Sequence, residues 1–286
     1  MDRYEEHCAN LKEAVRGFVK EDVALAFSGG VDSSLLLKLL CLAAEKTGKK
    51  VAAFTMVTKL HPSGDAKIAE RVAGEAGAVH RVIHVDELSH AGIMDNPENR
   101  CYLCKRYLYT KLLKSAKALG IQTVLEGTNA DDLNAYRPGI RAVKELGILS
   151  PLVQAGMTKA DIRRMASEYG ISVAERPASP CLATRFPYGT RLSWEKMKMA
   201  EEGEKFLRTL GFYNVRVRIH GDTARIEVDE KDLPGLVKNR AAAVKRLKEI
   251  GFTYITVDLE GFRSGSMDTH LKLKDYRTCK QIEIGI

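Results

Sequence analysis

Short apolar runs rich in β-branched residues alternate with longer stretches in which apolar positions recur every three or four residues. The runs are "DVALAF" (22–27), "VAAFTMV" (51–57), "HRVIHV" (80–85) and "QTVLEG" (122–127), and they read as strands. Helical patterns fall near residues 4–19, 32–46, 65–76, 102–119 and 158–169. Thr158, with Asp161 three residues on, opens the last of these as a capping pair. Strands separated by helices predict an α/β fold with a doubly wound, mostly parallel sheet.

After residue 186 the pattern changes. "SWEKMKMAEEGEKFLRTLG" reads as a helix ended by Gly211, and "NVRVRIHGDTARIEV" as two strands turning at His220-Gly221-Asp222. "LPGLVKNRAAAVKRLKEIG" reads as one helix and "FTYITVDL" as a strand. The expectation is a first domain over 1–186 and a smaller α+β domain over 187–286, with "RPASPCLATRFPYGTR" as the linker.

Composition adds bounds. The chain has 286 residues, 45% hydrophobic and 29% charged, enough for two cores. No run of about eighteen apolar residues occurs, and "MDRYEEHCANLKEAVRGF" is too charged for a secretory signal, which predicts a cytoplasmic protein with no membrane partner. The six cysteines are then unpaired thiols, metal ligands or nucleophiles rather than structural disulfides. A net charge of +8 suits an anionic partner or simply a lysine-rich solubilising surface.

The densest chemistry is "SGGVDSS" (28–34), between the first strand and the helix after it. Glycines there let the backbone turn tightly, and the helix amino end offers free N–H groups and partial positive charge, so a phosphate fits. Ser28, Ser33 and Ser34 add hydroxyls, and Asp32 is placed to hold Mg²⁺ between phosphate oxygens. The patterns G-x-x-x-x-G-K-[ST] and G-x-G-x-x-G are both absent.

"SGGVDSS" resembles the pyrophosphate loop of the PP-loop ATP pyrophosphatases, with their adenine nucleotide alpha hydrolase-like fold. The resemblance implies that Ser28, Gly29, Gly30, Asp32 and Ser33 bind ATP phosphates and Mg²⁺ while a substrate attacks the α-phosphorus and pyrophosphate leaves. A second anchor, "LEGTNADD" (125–132), ends the fourth strand, at the sheet edge where such folds bind ligands. It places Glu126, Thr128, Asn129, Asp131 and Asp132 by the cleft, and the resemblance supports Gly127, Asn129 and Asp131 in the nucleotide site. Phe54, Thr55 and Met56, at the end of the second strand, are expected to touch adenine.

Cys101 and Cys104 form a C-x-x-C at the same sheet edge, and Cys181 lies in "PASPCLATR". Three thiolates converging on one cleft would leave one metal position open. A [4Fe-4S] cluster with an open iron fits such a set better than structural zinc; zinc and a redox dithiol stay as alternatives. Cys8, Cys41 and Cys279 have no partner spacing.

"RPASPCLATRFPYGTR", "VRVRIHGDTARIEV" and "DLEGFRSGSM" resemble segments of the LarE-type sulfur transferases, a match running from about residue 20 to 268. The resemblance implies a pyridinium dicarboxylate mononucleotide substrate, adenylated on a carboxylate and converted to a thiocarboxylate. It implies that Cys181 gives up sulfur, or, with Cys101 and Cys104, holds a cluster that carries it. Adenylation supplies a leaving group, and a thiolate or sulfide is a strong nucleophile. Arg185 is read as stabilising developing charge, and Arg216 and Arg218, alternating along one strand, as clamping the mononucleotide phosphate. Glu126 and Glu204 complete the expected substrate contacts. A sulfide or other sulfur donor and self-association into a homo-oligomer complete the expected partners. The competing readings are a tRNA thiolase of the same superfamily and a non-catalytic nucleotide or cluster sensor; no separate RNA-binding segment is evident.

Overall fold

The structure is a computed structural model that describes residues 2–134, 137–177, 179–263 and 265–268. The chain divides into two compact units, 1–93 with 99–179, and 94–98 with 180–286. The second unit thus begins a few residues before the expected boundary at 187 and takes in a short excursion from the first. Hydrogen bonds explain the excursion. Asn96 donates from Nδ2 to the carbonyls of Phe186 and Pro187 at 3.3 and 2.7 Å, and the Gly189 and Leu192 amides donate to the carbonyls of Asn96 and Met94.

The first unit is built from α1 (Arg3–Phe18), β1 (Val23–Ala26), α2 (Val31–Thr47), β2 (Val51–Val57), α3 (Asp65–Glu75), β3 (Val79–His84), α4 (Glu87–His90), α5 (Arg100–Ala118), β4 (Thr123–Leu125), α6 (Gly139–Glu145), α7 (Pro151–Gln154) and α8 (Lys159–Glu168). The strands are all parallel, in the order β3-β2-β1-β4. Successive residues of one strand enter opposite cores, as the two-residue repeat of a strand requires. Val23, Leu25, Val51, Ala53 and Leu125 pack with α1, α2, α3 and α8 residues on one face. Ala24, Ala52, Phe54 and Val124 pack with Leu112, Ala116 and Val143 of α5 and α6 on the other. Because both faces of β1, β2 and β4 are covered, those strands read as unbroken apolar runs, whereas the edge strand β3, more exposed, mixes apolar and polar residues. The order reverses between β1 and β4, so the crevice for ligands opens at their carboxyl ends.

The second unit contains α9 (Trp194–Thr209), β5 (Val215–His220), β6 (Thr223–Val228), α10 (Leu233–Lys238), α11 (Arg240–Ile250) and β7 (Tyr254–Val257). β5 and β6 form an antiparallel hairpin turning at Gly221 (φ 64°), and β7 lies parallel to β6. Val215, Val217, Ile219, Ala224, Ile226 and Val228 are all buried, on the sheet face that meets α9 and α11. The segment expected to be one helix is two. Asn239 separates α10 from α11, its Nδ2 donating to the Gly235 carbonyl at 2.9 Å, a local bond that competes with helix continuation. Among the described residues no helix is long and apolar enough to cross a membrane.

Candidate active site

The β1–α2 junction holds a tight loop. Gly29 has φ 70°, and a Cβ there would lie 2.8 Å from the Ala69 Cα of α3, so both backbone conformation and close packing demand glycine. Ser33 Oγ ties the loop from inside: it donates to the Gly30 carbonyl at 3.1 Å and lies 3.2 Å from Ser28 Oγ, which accepts from the Gly30 amide at 3.3 Å. Gly30 caps α2, whose first amides have no intrahelical acceptors and face the crevice end of the sheet. Ser34 differs from its neighbours: its hydroxyl is buried and has no hydrogen-bond partner among the described residues.

The second anchor meets this loop. A Cβ at Gly127 would lie 3.1 Å from the Ser33 amide nitrogen, so only glycine lets the segment after β4 pass the start of α2 this closely. Asn129 and Asp132 cap each other, amide to side chain, at 3.2 Å in both directions. Asp131 Oδ2 accepts from the Lys159 amide at 2.8 Å and so fixes the first turn of α8.

Glu126 does not reach outward to a substrate, as the sequence had suggested. Its carboxylate is buried and accepts from the Thr128 amide (3.0 Å), Thr128 Oγ1 (2.7 Å) and Ser150 Oγ (2.5 Å), with Lys105 Nζ 3.4 Å away. Burial pulls the Lys105 ammonium down, but Tyr109 and Glu126 outweigh it and hold its pKa above the ordinary value. Glu126 thus anchors the 126–132 segment to α5, the helix of the C-x-x-C.

Phe54 and Thr55 brace the loop from β2. The Phe54 carbonyl accepts from the Phe27 amide at 2.8 Å, and Thr55 Oγ1 donates to the Phe27 carbonyl at 2.9 Å. Thr55 Oγ1 also lies 2.8 Å from His80 Nε2, whose ring burial holds it below its usual pKa and thereby favours the neutral form. The Thr55 hydroxyl is therefore engaged at the β1–loop junction, and an adenine contact at this strand end would use backbone groups.

Two cations absent from the sequence reading flank the loop. Lys159 Nζ lies 2.8 and 2.6 Å from the two carboxylate oxygens of Asp32. Arg176 reaches Asp65 Oδ1 at 2.5 Å and the Gly29 carbonyl at 3.4 Å. Lys159 is 127 residues from its partner and Arg176 is 147 residues from Gly29, so no local pattern marks either. The ammonium thus neutralises the Asp32 carboxylate at the mouth of the loop.

Cys101 and Cys104 stand one turn apart on one side of α5, Cys101 exposed and Cys104 half-buried, and neither is in a disulfide. Cys181, in the second unit, is half-buried and immediately precedes the short 3₁₀ turn Leu182–Arg185. Two thiols outside disulfides on one helix face are the kind of donor pair that thiolate-bound metals use. Among the described residues no group of three His, Cys, Asp or Glu side chains is gathered as for a metal. Cys8 and Cys41 are buried, and Cys279 lies outside the described residues.

In the second unit Arg185 is 1% exposed, and its donors are all engaged. It forks onto Glu204 at 2.8 and 2.9 Å, and its Nη1 donates to the carbonyls of Pro180 (3.0 Å) and Cys181 (3.3 Å) and to Thr184 Oγ1 (2.9 Å). It is therefore not a free cation for a reacting group, as the sequence had suggested; it shapes the turn that carries Cys181. Glu204 is likewise buried and accepts also from Arg208 and the Val217 amide. Burial raises its carboxyl, but Arg185 outweighs that and holds the pKa below the usual range. The spacing Met197, Ala200, Glu204, Leu207 placed it on the buried stripe of α9.

Arg216 and Arg218 do share a sheet face, opposite Glu227 and Arg225 on β6. Arg218 is committed to Glu227 (2.7 Å), Ser266 Oγ (3.0 Å) and the Thr184 carbonyl (3.0 Å). Arg216 makes no ion pair among the described residues: it donates to the Val215 carbonyl at 2.8 Å and lies 5.0 Å from the Phe262 ring centre. Burial, reinforced by Arg185, pushes its pKa down to about 10. Of the pair, Arg216 is the cation that an anionic ligand would relieve.

The chain matches the family described as asparagine synthase over residues 8–179. It is 38% identical over 250 residues to the pyridinium-3,5-bisthiocarboxylic acid mononucleotide synthase of Lactiplantibacillus plantarum, covering 87% of this chain and 90% of that one. It is 38% identical over 260 residues to an uncharacterized protein of Synechocystis, covering 90% and 96% of the two chains. A tRNA-specific 2-thiouridylase of Rickettsia typhi is 25% identical over 198 residues, 55% of this chain and 53% of that one.

Proposed function

The chain belongs to the asparagine synthase family of PP-loop proteins and to its LarE-type branch of ATP-dependent sulfur transferases, and on that premise we propose that its substrate is a pyridinium-3,5-dicarboxylate mononucleotide. One observation carries the activating half of this reading. The loop with left-handed Gly29, the start of α2 and the Asp32–Lys159 pair all lie at the carboxyl end of β1, where β4 brings Gly127 against them.

Chemically, a substrate carboxylate oxygen attacks the α-phosphorus of ATP, and the bond to the bridging oxygen breaks to release pyrophosphate. The α2 amides and the Ser28 and Ser33 hydroxyls bind phosphate oxygens, and Lys159 holds positive charge at the same place. Asp32 would hold Mg²⁺, whose role is to neutralise charge between phosphate oxygens. A sulfur nucleophile then attacks the acyl carbon and AMP leaves with the electron pair of the broken C–O bond. Cys101, Cys104 and Cys181 would hold a [4Fe-4S] cluster, which would carry an additional sulfide taken from an external sulfide donor, so that neither the protein nor the cluster's own sulfur is consumed. Arg185 holds the Cys181 turn, and Arg216, lacking a carboxylate partner, is the arginine that receives the mononucleotide phosphate.

The test incubates the protein with ATP, Mg²⁺ and the dicarboxylate mononucleotide, and follows pyrophosphate, AMP and product mass. Pyrophosphate and AMP in equal amounts, with a product heavier by the exchange of oxygen for sulfur when sulfide is present, are expected. No pyrophosphate with this substrate, and a thiolated base when tRNA replaces it, would transfer the protein to the tRNA-modifying branch, which the similarity to the Rickettsia enzyme would then explain.

A further inference from the structure

We propose that His7, on α1, is a positioning residue for Lys159, so that the amino-terminal helix belongs to the activating machinery rather than merely covering the sheet. The inference rests on the adenylating role proposed above. His7 Nδ1 donates to Asp161 Oδ2 at 3.0 Å, and both side chains are largely buried, 12% and 17% exposed. Asp161 is the third residue of α8; the same Oδ2 accepts from the Thr158 amide at 3.0 Å, while Thr158 Oγ1 accepts from the Asp161 amide at 3.2 Å. That reciprocal cap sets where the helix begins, and its first residue is Lys159.

The other side of the imidazole completes the brace. Gly156 has φ 72°, and a Cβ there would stand 3.1 Å from His7 Nε2, so the ring lies flush against the turn between α7 and α8. That turn is held at its far side by the nucleotide segment: the Ala130 amide donates to the Met157 carbonyl at 2.9 Å, and the Lys159 amide to Asp131 at 2.8 Å. Residues 156–161 are thus gripped between α1 and the 126–132 segment, with the Lys159 ammonium directed onto Asp32. Lys159 has a long, freely rotating stem, so its charge is useful only if its backbone is fixed. Removing the His7 contact leaves one oxygen of a partly buried carboxylate short of a donor and frees the first turn of α8 to shift.

The substitution His7→Asn keeps an N–H close to the position of Nδ1, whereas His7→Ala does not. The first measurement needs no turnover: limited reductive methylation read by mass spectrometry reports how well Lys159 Nζ is held. His7→Ala should speed labelling of Lys159 relative to the other lysines, with His7→Asn close to wild type; equal rates in all three proteins would overturn the proposal. The second is pyrophosphate release. His7→Ala should lower kcat about tenfold with the KM for ATP nearly unchanged, a loss of about 1.4 kcal/mol in transition-state stabilisation. In a Lys159→Met background it should cost nothing further, and losses that multiply would overturn the proposal. Should His7→Ala fail to fold, Asp161→Asn replaces it in the same cycle, with the same expectation of non-additivity. Wild-type protein that releases no pyrophosphate would remove the proposed function, while the labelling result would still decide the role of His7.

Discussion

Glu87 is a carboxylate in a position its residue type rarely occupies. It follows β3 and is fully buried; burial outweighs the Thr58 hydroxyl and the Leu60 amide near its carboxylate, which favour the ionised form. Burial raises its pKa, so in the folded protein the proton is held to a higher pH than in the unfolded chain. The sign follows from proton counting. Between the two pKa values the folded state binds more protons, so stability falls as pH rises from about 4 towards the folded pKa. Glu87→Gln removes that loss. Thermal melts at several pH values should show the variant more stable than wild type at pH 7 and equal to it near pH 4; a difference independent of pH would mean that packing, not ionisation, sets the effect. At the same scale, the serines and glycines of the phosphate loop were legible in the sequence because each does local work within a few residues. Lys159 and Arg176 were not, because a lysine or arginine that meets its partner across more than a hundred residues looks like any surface cation until the chain is folded. Arg185 and Glu204 misled for the opposite reason, since two charges that neutralise each other in a core look like free groups in isolation.

Among elements, α5 has the most to connect. It carries Cys101 in its first turn and Cys104 at the start of its second, and one residue later Lys105 reaches Glu126, the buried acceptor of the 126–132 segment. Lys105→Met leaves that carboxylate short of its counter-charge and should destabilise the protein by about 3 kcal/mol. Denaturant melts of Lys105→Met, Glu126→Gln and the double variant test this: the double should recover much of the single loss, and full additivity would show that the pair does not interact. β1, β2 and β4 were readable as elements because burial on both faces leaves a continuous apolar signature, and the exposed edge strand β3 was readable from its β-branched residues. The short helices α4, α6 and α7 were not, since four to seven residues are too few to display a helical period. The parallel bridge of Leu125 to Leu149, which extends the sheet past β4 by a single residue, leaves no pattern at all.

At the scale of the molecule, the phosphate loop and the C-x-x-C lie in the first unit, and Cys181 and Arg216 in the second. If the three thiols hold a cluster, protein prepared without oxygen should contain about four irons per chain and absorb broadly in the visible. Cys104→Ala should abolish both while leaving pyrophosphate release intact. One zinc per chain, or pyrophosphate release lost together with the iron, would assign the thiols a structural role.

The excursion at 94–98 has a consequence for how the chain can be divided. Because the chain leaves the first unit, contributes to the second and returns, the backbone passes between them three times, near residues 93, 98 and 179. A break after residue 179 would leave Asn96 without the carbonyls of Phe186 and Pro187 that it binds. One break after residue 179 therefore divides the second unit itself, so a carboxyl-terminal fragment starting at 180 lacks the 94–98 segment that packs into it, and it is expected to be less stable alone than within the whole chain.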